Sequence, residues 1–272
     1  MTRTRRWSWL LVLIVGAGLY LLVLRTLVAT KNPNFVPALI LLGASVVPAA
    51  FLAFTQARSG HWRVPASMLA IVAFFGGVIG VVAAGTWEYD VLRDLGVLPM
   101  VFVGLIEEVA KLIVPGVVLF AVFARRGRRE PADGLVVGVA SGMGFAALET
   151  MGYAFTALLA AKGDLGAVEQ TLFIRGLLAP AGHTAWTGLT CGALWAFAAN
   201  PHLRQFLTLA ATFVGAVTLH TAWDSLGTVW GYAVVGVASL TWLTVQQHRY
   251  RTFDDRHPRI ASQRRAPSVL AG

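Results

Sequence analysis

Ionisable side chains lie inside otherwise apolar stretches of this sequence, and their types can activate water. They are Glu107, Glu108, Lys111, Glu149, His183, His220 and Asp224. Carboxylates and imidazoles act as general acids and bases or as metal ligands. Since no serine or cysteine is placed to pair with a base, water is the expected attacking group. Hydrolysis of an amide bond fits this set, with water activated by a glutamate or by a metal ion.

Spacing places several of these groups on shared helix faces, because residues three or four apart lie one turn from each other. Lys111 follows both Glu107 and Glu108 by one turn, so its ammonium can neutralise one carboxylate and leave the other free to act. His220 and Asp224 are an i, i+4 pair, which suits a carboxylate that orients an imidazole or two metal ligands. A further stripe at i, i+4 and i+8 combines apolar, acidic and phenolic side chains: Phe145, Glu149 and Tyr153.

Transmembrane helices are the predicted secondary structure around these groups. Of the 272 residues, 57% are hydrophobic and 13% charged, which is about half the charged fraction of a soluble domain. A bilayer core of about 30 Å needs about 20 helical residues. Stretches that approach this length are 8–25, 36–55, 66–86, 98–124, 134–161, 178–199, 206–227 and 229–246. The sequence therefore predicts an all-α, polytopic transmembrane bundle of about eight spans.

The net charge of +9 indicates membrane topology, and no nucleic-acid partner is expected. Most of the 22 Lys and Arg residues lie in segments on the same side as the N-terminus, which the positive-inside rule places in the cytoplasm. Both termini are then cytoplasmic, and the chain is expected in the cell membrane, surrounded by lipid. We divide it into a membrane domain, 1–246, and a basic cytoplasmic tail, 247–272, predicted to be disordered or to lie on anionic lipid.

Charges at bilayer depth favour one shared site. Each costs about 2.5 to 3.5 kcal/mol even on the lenient insertion scale, so several together need partners or a water-filled cavity. At about 1.5 Å per residue, four of these groups lie about 8 to 18 Å below the outer ends of their spans: Glu107, Glu149, His183 and His220. This agreement predicts a site in the outer half of the bilayer, open to the extracytoplasmic side. An ion-pair network that only holds the helices together is the alternative.

Taken together, these patterns resemble those of the PrsW family of intramembrane proteases, in the superfamily of CAAX prenyl endopeptidases and bacterial Abi proteins. The family patterns EExxK, FxxxExxxY and HxxxD correspond here to Glu107-Glu108-x-x-Lys111, Phe145-x-x-x-Glu149-x-x-x-Tyr153 and His220-x-x-x-Asp224. A span carrying His183 between the second and third patterns agrees with the superfamily layout. The resemblance covers about 98–228, which we take as the catalytic core.

The resemblance implies an endopeptidase that cuts a single-span membrane protein, typically an anti-sigma factor, near the extracytoplasmic side. Glu107 or Glu108 would supply the general base, tuned by Lys111, and the sequence does not choose between the two glutamates. The groups that would hold water or metal and stabilise the oxyanion are Glu149, His183 and His220. Asp224 would orient His220 or act as a ligand.

The implied cofactor is Zn²⁺ or another divalent metal, because members of the family are often called metalloproteases. The candidate ligands are Glu149, His183, His220 and Asp224. A metal-free glutamate mechanism is argued for relatives, and the sequence contains no HExxH pair that would make zinc the default. Both mechanisms therefore stay open at this point.

Other function classes also use acids and histidines inside a membrane. A proton- or cation-coupled transporter employs such groups as relays, although the inverted repeats common in transporters are not visible here. A non-catalytic scaffold or immunity protein with a degenerate site is a third interpretation. The intact set of acids and histidines favours the protease.

Overall fold

The computed structural model describes residues 7–58, 64–124 and 130–256. These ranges form α1 (Ser8–Thr30), α2 (Val36–Arg58), α3 (Ala66–Leu95), α4 (Met100–Lys111), α5 (Ile113–Val118), α6 (Pro131–Ala160), α7 (Leu165–Thr171), α8 (His183–Ala199), α9 (Leu203–Leu226) and α10 (Val229–Arg256). Shorter helical turns occupy Pro33–Phe35, Leu119–Ala124, Leu172–Gly176 and Ala179–Ala181. The predicted all-α bundle is confirmed.

Within these ranges, six helices are long and apolar enough to cross a membrane: α1, α2 with the turn before it, α3, α6, α9 and α10. The predicted count of eight spans and the cytoplasmic position of both termini stay predictions. Residues 1–6 and 257–272 lie outside the described residues. The helix α10 continues to Arg256, so the first ten residues of the predicted tail, from Gln247, are helical.

The predicted span 98–124 is interrupted between α4 and α5 at Leu112. Pro115 explains the break, because a proline has no N–H to donate to the carbonyl four residues earlier, that of Lys111. The hydroxyl of Ser141 on α6 donates to this Lys111 carbonyl oxygen at 2.9 Å. The break therefore leaves the carbonyl hydrogen-bonded and ties the end of α4 to α6.

The predicted span 178–199 is helical in the α conformation only from His183 onward. Before it, the chain forms a π-helical turn, Leu172–Gly176, and a 3₁₀ turn, Ala179–Ala181, which contains Pro180. As a result α8 begins among the other helices of the bundle, and its first residue, His183, is buried. The positive end of the helix dipole lies at this N-terminus, where it favours nearby carboxylates.

The helix α6 packs between α3 and α8, and glycines permit both close approaches. A Cβ atom at Gly142 would collide with the carbonyl oxygen of His183, and one at Gly144 with the carbonyl oxygen of Ala73 on α3. Glycine is required where backbones come this close. The position of His183 thus depends directly on the face that α6 presents to α8.

The Gly142→Ala variant is expected to be less stable by about 1–3 kcal/mol, since an added methyl overpacks a filled interface. Displacement of the His183 backbone should also lower the peptidase activity that the resemblance implies, by up to about 100-fold. The matched control is Gly152→Ala on the same helix, where an added Cβ meets no atom within 4 Å. Thermal unfolding in detergent and cleavage assays should separate the two variants; equal behaviour would contradict the packing role of Gly142.

Candidate active site

The helix α4 places Glu107, Glu108 and Lys111 inside the protein. The Lys111 ammonium is fully buried and donates to Glu108 Oε1 at 2.6 Å. It lies 3.9 Å from Glu107 Oε2. The lysine therefore neutralises Glu108 in the first instance, and Glu107 is the carboxylate left less tightly paired.

His220 on α9 joins the same cluster. Its Nδ1 atom lies 2.9 Å from Glu108 Oε1 and, because a carboxylate only accepts, Nδ1 donates this hydrogen bond. Its Nε2 atom lies 3.2 Å from Asp224 Oδ2 and 3.5 Å from Glu107 Oε2. One imidazole thus connects the fixed carboxylate to the less tightly paired one.

Gly104 allows α9 to come this close to α4. A Cβ atom at Gly104 would lie 2.9 Å from the hydroxyl oxygen of Thr221, which follows His220. A larger residue here would push α9, and with it His220, away from Glu108.

His183, the first residue of α8, lies between Lys111 and Glu149. Its Nδ1 atom is 2.8 Å from Lys111 Nζ, and an ammonium can only donate, so Nδ1 accepts and the ring hydrogen is on Nε2. Nε2 lies 2.8 Å from Glu149 Oε2 on α6. The two imidazoles are adjacent, with ring centroids 4.9 Å apart.

Aromatic side chains hold the two imidazoles in place. Trp186, one turn after His183, stacks on His220 at 4.9 Å and meets His183 edge-on at 5.4 Å. The indole N–H of Trp186 donates to Ser239 Oγ on α10 at 2.8 Å. Phe145 packs against His183 at 5.3 Å, and the Lys111 ammonium lies 4.8 Å from the centre of the Phe145 ring.

Residues 64–246 match the family described as PrsW family intramembrane metalloprotease. The chain belongs to the PrsW family. The matched region begins just before α3 and extends into α10, so it contains all of the site residues described above. It supports a membrane-embedded protease and a multi-pass membrane protein. No curated protein and no solved structure matches the chain.

In this PrsW protein, the predicted residues do not all meet at one point. The closest group of potential metal ligands in the described ranges is Glu107, His183 and His220, whose ligand atoms lie within 4.8 Å of one another. The sequence prediction of ligands did not include Glu107. Glu149 contacts the His183 side of this group and Asp224 the His220 side.

The residues fit the divalent ion that the family description implies. Two histidines and a glutamate are a ligand set of catalytic zinc sites. In addition, Glu107 Oε2 is buried and accepts no hydrogen bond from any described residue, so it has the capacity to bind an ion or a water molecule. Lys111 lies close to the same space and would have to share it with the ion.

Tyr153, the last residue of the predicted stripe, lies at the edge of the site. Its half-exposed ring is covered by the guanidinium of Arg175, 3.8 Å from the ring centre. Tyr153 therefore contacts Arg175, which in turn contacts Glu149 of the buried cluster.

Glu88 is a further acidic residue near the site, and the sequence patterns did not predict it as a site residue. The residue lies just beyond the predicted span 66–86, but α3 continues to Leu95 and makes it helical. The carboxylate of Glu88 has a buried oxygen and interacts electrostatically with Glu149 and Asp224. The apolar stretch ends at Gly85, so hydropathy did not signal that the helix continues.

Proposed function

We propose that this chain hydrolyses a peptide bond of a membrane-spanning protein, with water activated at Glu107. The observation that carries the proposal is the buried Glu107 Oε2 atom, which accepts no hydrogen bond from the described residues and faces both imidazoles. A general base must have a free acceptor within reach of the water it deprotonates. Glu107 meets that requirement.

Glu108 is the structural member of the glutamate pair. Its Oε1 atom accepts from Lys111 and from His220, and the side chain is fully buried. A carboxylate held by a cation and an imidazole has little capacity left to accept a further proton. Its role in the proposal is to orient His220 and to balance the charge of Lys111.

His220 is placed to assist at the oxygen of the scissile carbonyl. Its Nδ1–H is directed to Glu108, while Nε2 faces the space between Glu107 and Asp224. An imidazole N–H directed at a developing oxyanion stabilises the transition state electrostatically. In the metal-free form Asp224 accepts from Nε2, so the ring with both nitrogens protonated is an imidazolium cation.

In the metal-bound form, Glu107, His183 and His220 would hold the ion. A bound divalent ion supplies Lewis-acid activation of water and of the carbonyl group. The protein groups then orient the substrate and keep bulk water out, since the lysine, both imidazoles and the Glu107 carboxylate are buried.

Metal content is a direct test of this part of the proposal. We expect about one divalent ion per chain in protein purified without chelator, and its loss in His220→Ala, because a three-ligand site cannot spare an imidazole. Elemental analysis by mass spectrometry measures the content. Undiminished cleavage by protein that holds no ion would assign the activation of water to Glu107 alone.

The proposed substrate is a single-span membrane protein, which the family resemblance suggests is an anti-sigma factor. The proposed cleavage point is near the extracytoplasmic side. Glu107 lies about two turns inside α4, and His220 a similar distance from the end of α9, at the end of the bundle that the arginine distribution predicts to be outside. A peptide bond near the outer end of a substrate helix would reach this depth.

The function is tested by reconstituting the purified protein with a single-span substrate tagged at both ends. Cleavage should give two fragments, and mass spectrometry should place the cut in the outer third of the substrate span. Glu107→Gln, His183→Ala and His220→Ala should each abolish the fragments, whereas Gly152→Ala should leave them unchanged. Full cleavage by all three site variants would overturn the proposal.

A further inference from the structure

We propose that Arg175 is a positioning residue of the active site, acting through Glu149 on His183. The inference rests on the proposed function and adds a residue outside the three motif patterns. In the sequence, Arg175 belongs to the loop before His183. The structure places its guanidinium against the acidic residue that contacts His183.

Two contacts converge on one carboxylate oxygen. Arg175 Nη2 lies 2.8 Å from Glu149 Oε2, and the same oxygen lies 2.8 Å from His183 Nε2. The Arg175 and Glu149 side chains are only 25% and 17% exposed, so solvent screens this pair much less than a surface pair. The guanidinium therefore keeps the Glu149 oxygen beside His183 Nε2, in a short electrostatic contact that lacks hydrogen-bond alignment.

The guanidinium of Arg175 also has an aromatic contact. The ring of Tyr153, one turn after Glu149 on α6, lies beneath it at 3.8 Å from the ring centre. A cation over an aromatic face is attracted by the ring quadrupole. Arg175 thus contacts both a carboxylate and a ring, which limits the conformations of its long side chain.

The backbone around Arg175 is anchored to another helix. The residue lies in the π-helical turn Leu172–Gly176, a type of turn that is frequent at functional sites. A Cβ atom at Gly176 would collide with the carbonyl oxygen of Gly43 on α2, and a Cβ atom at Gly43 would lie 2.8 Å from Leu172 Cδ1. This close packing on α2 determines the direction in which Arg175 leaves the turn.

Loss of the guanidinium would leave Glu149 as a largely buried carboxylate with His183 as its remaining contact among those described. Such a group turns toward any available water or cation. His183 would then lose its partner at Nε2 while Lys111 still occupies Nδ1. The expected consequence is a misoriented imidazole in a protein that still folds.

The test is steady-state cleavage by Arg175→Ala and Arg175→Lys in proteoliposomes. Loss of a residue that orients a site group typically reduces activity 10- to 100-fold, so we expect kcat of Arg175→Ala to fall by about that factor with little change in KM. Lysine keeps the cation and should recover part of kcat. The matched control is Arg93→Ala, which removes an exposed arginine paired with Asp90 and Asp94 at the end of α3.

A double variant shows whether Arg175 acts through Glu149. In a Glu149→Gln background the carboxylate charge is gone, so adding Arg175→Ala should reduce kcat no further. Wild-type kcat in Arg175→Ala would overturn the inference, as would an effect confined to KM, which would indicate direct substrate binding. These outcomes are separate from the test of the function itself, which is overturned by full cleavage in Glu107→Gln, His183→Ala and His220→Ala together.

Discussion

Glu107→Gln is expected to abolish cleavage, with a loss of about 10²- to 10⁴-fold, the range that a general base contributes. Glutamine has almost the same shape but cannot take a proton from water. The protein should remain folded, because Glu107 Oε2 accepts no hydrogen bond from the described residues and its buried charge is costly. The unfolding temperature should therefore stay the same or rise.

Glu108→Gln is the matched comparison, since the same chemical change is made one residue away. Here the carboxylate accepts from Lys111 and His220, so its neutralisation should lower the unfolding temperature as well as the activity. Thermal unfolding in detergent and cleavage in proteoliposomes measure both effects. An active Glu107→Gln enzyme beside an inactive, fully stable Glu108→Gln enzyme would reverse the roles that we assign.

Lys111→Met is expected to cause the largest loss of stability. The ammonium is fully buried, and its removal takes away the lysine cation that lies 2.6 Å from Glu108 Oε1. Removal of one partner from a buried ion pair typically costs about 3–5 kcal/mol. The variant should purify in low yield and unfold at a clearly lower temperature.

The double variant Lys111→Met with Glu108→Gln tests why Lys111→Met loses stability. If the loss comes from the unpaired carboxylate, neutralising Glu108 should recover much of the stability without restoring cleavage. Arg93→Met provides a control for removing a cation at the surface, and its unfolding temperature should match wild type. A double variant as unstable as the single one would show that Lys111 matters mainly for packing against Phe145 and Trp186.

The helix break at Leu112 could have been predicted from the sequence, although hydropathy alone does not indicate it. The stretch 98–124 is apolar throughout most of its length, so a count of apolar residues merges α4 and α5 into one span. Pro115 was the available signal, because it removes the hydrogen bond to the Lys111 carbonyl. The donor that replaces the missing N–H, the hydroxyl of Ser141, is about thirty residues away and had no local signature.

Trp186 and Arg175 make contacts that have no local signal in the sequence. Trp186 lies one turn after His183, so helical spacing alone places it near the His183 imidazole. Its stacking on His220 depends on the packing of α8 against α9. Similarly, the contact of Arg175 with Glu149 depends on how the π-helical turn is anchored on α2. Neither contact follows from spacing along one helix.

The membrane bundle, and the acids and histidines that we propose for the site, can be predicted from the sequence without a structure. Scarcity of charge and helical spacing are local properties, and they can be read without knowledge of packing. Which of the two glutamates is more tightly paired depends on tertiary packing. Lys111 is one turn from both Glu107 and Glu108, so spacing is ambiguous; the choice is made by His220, which α9 brings to Glu108 from more than a hundred residues away.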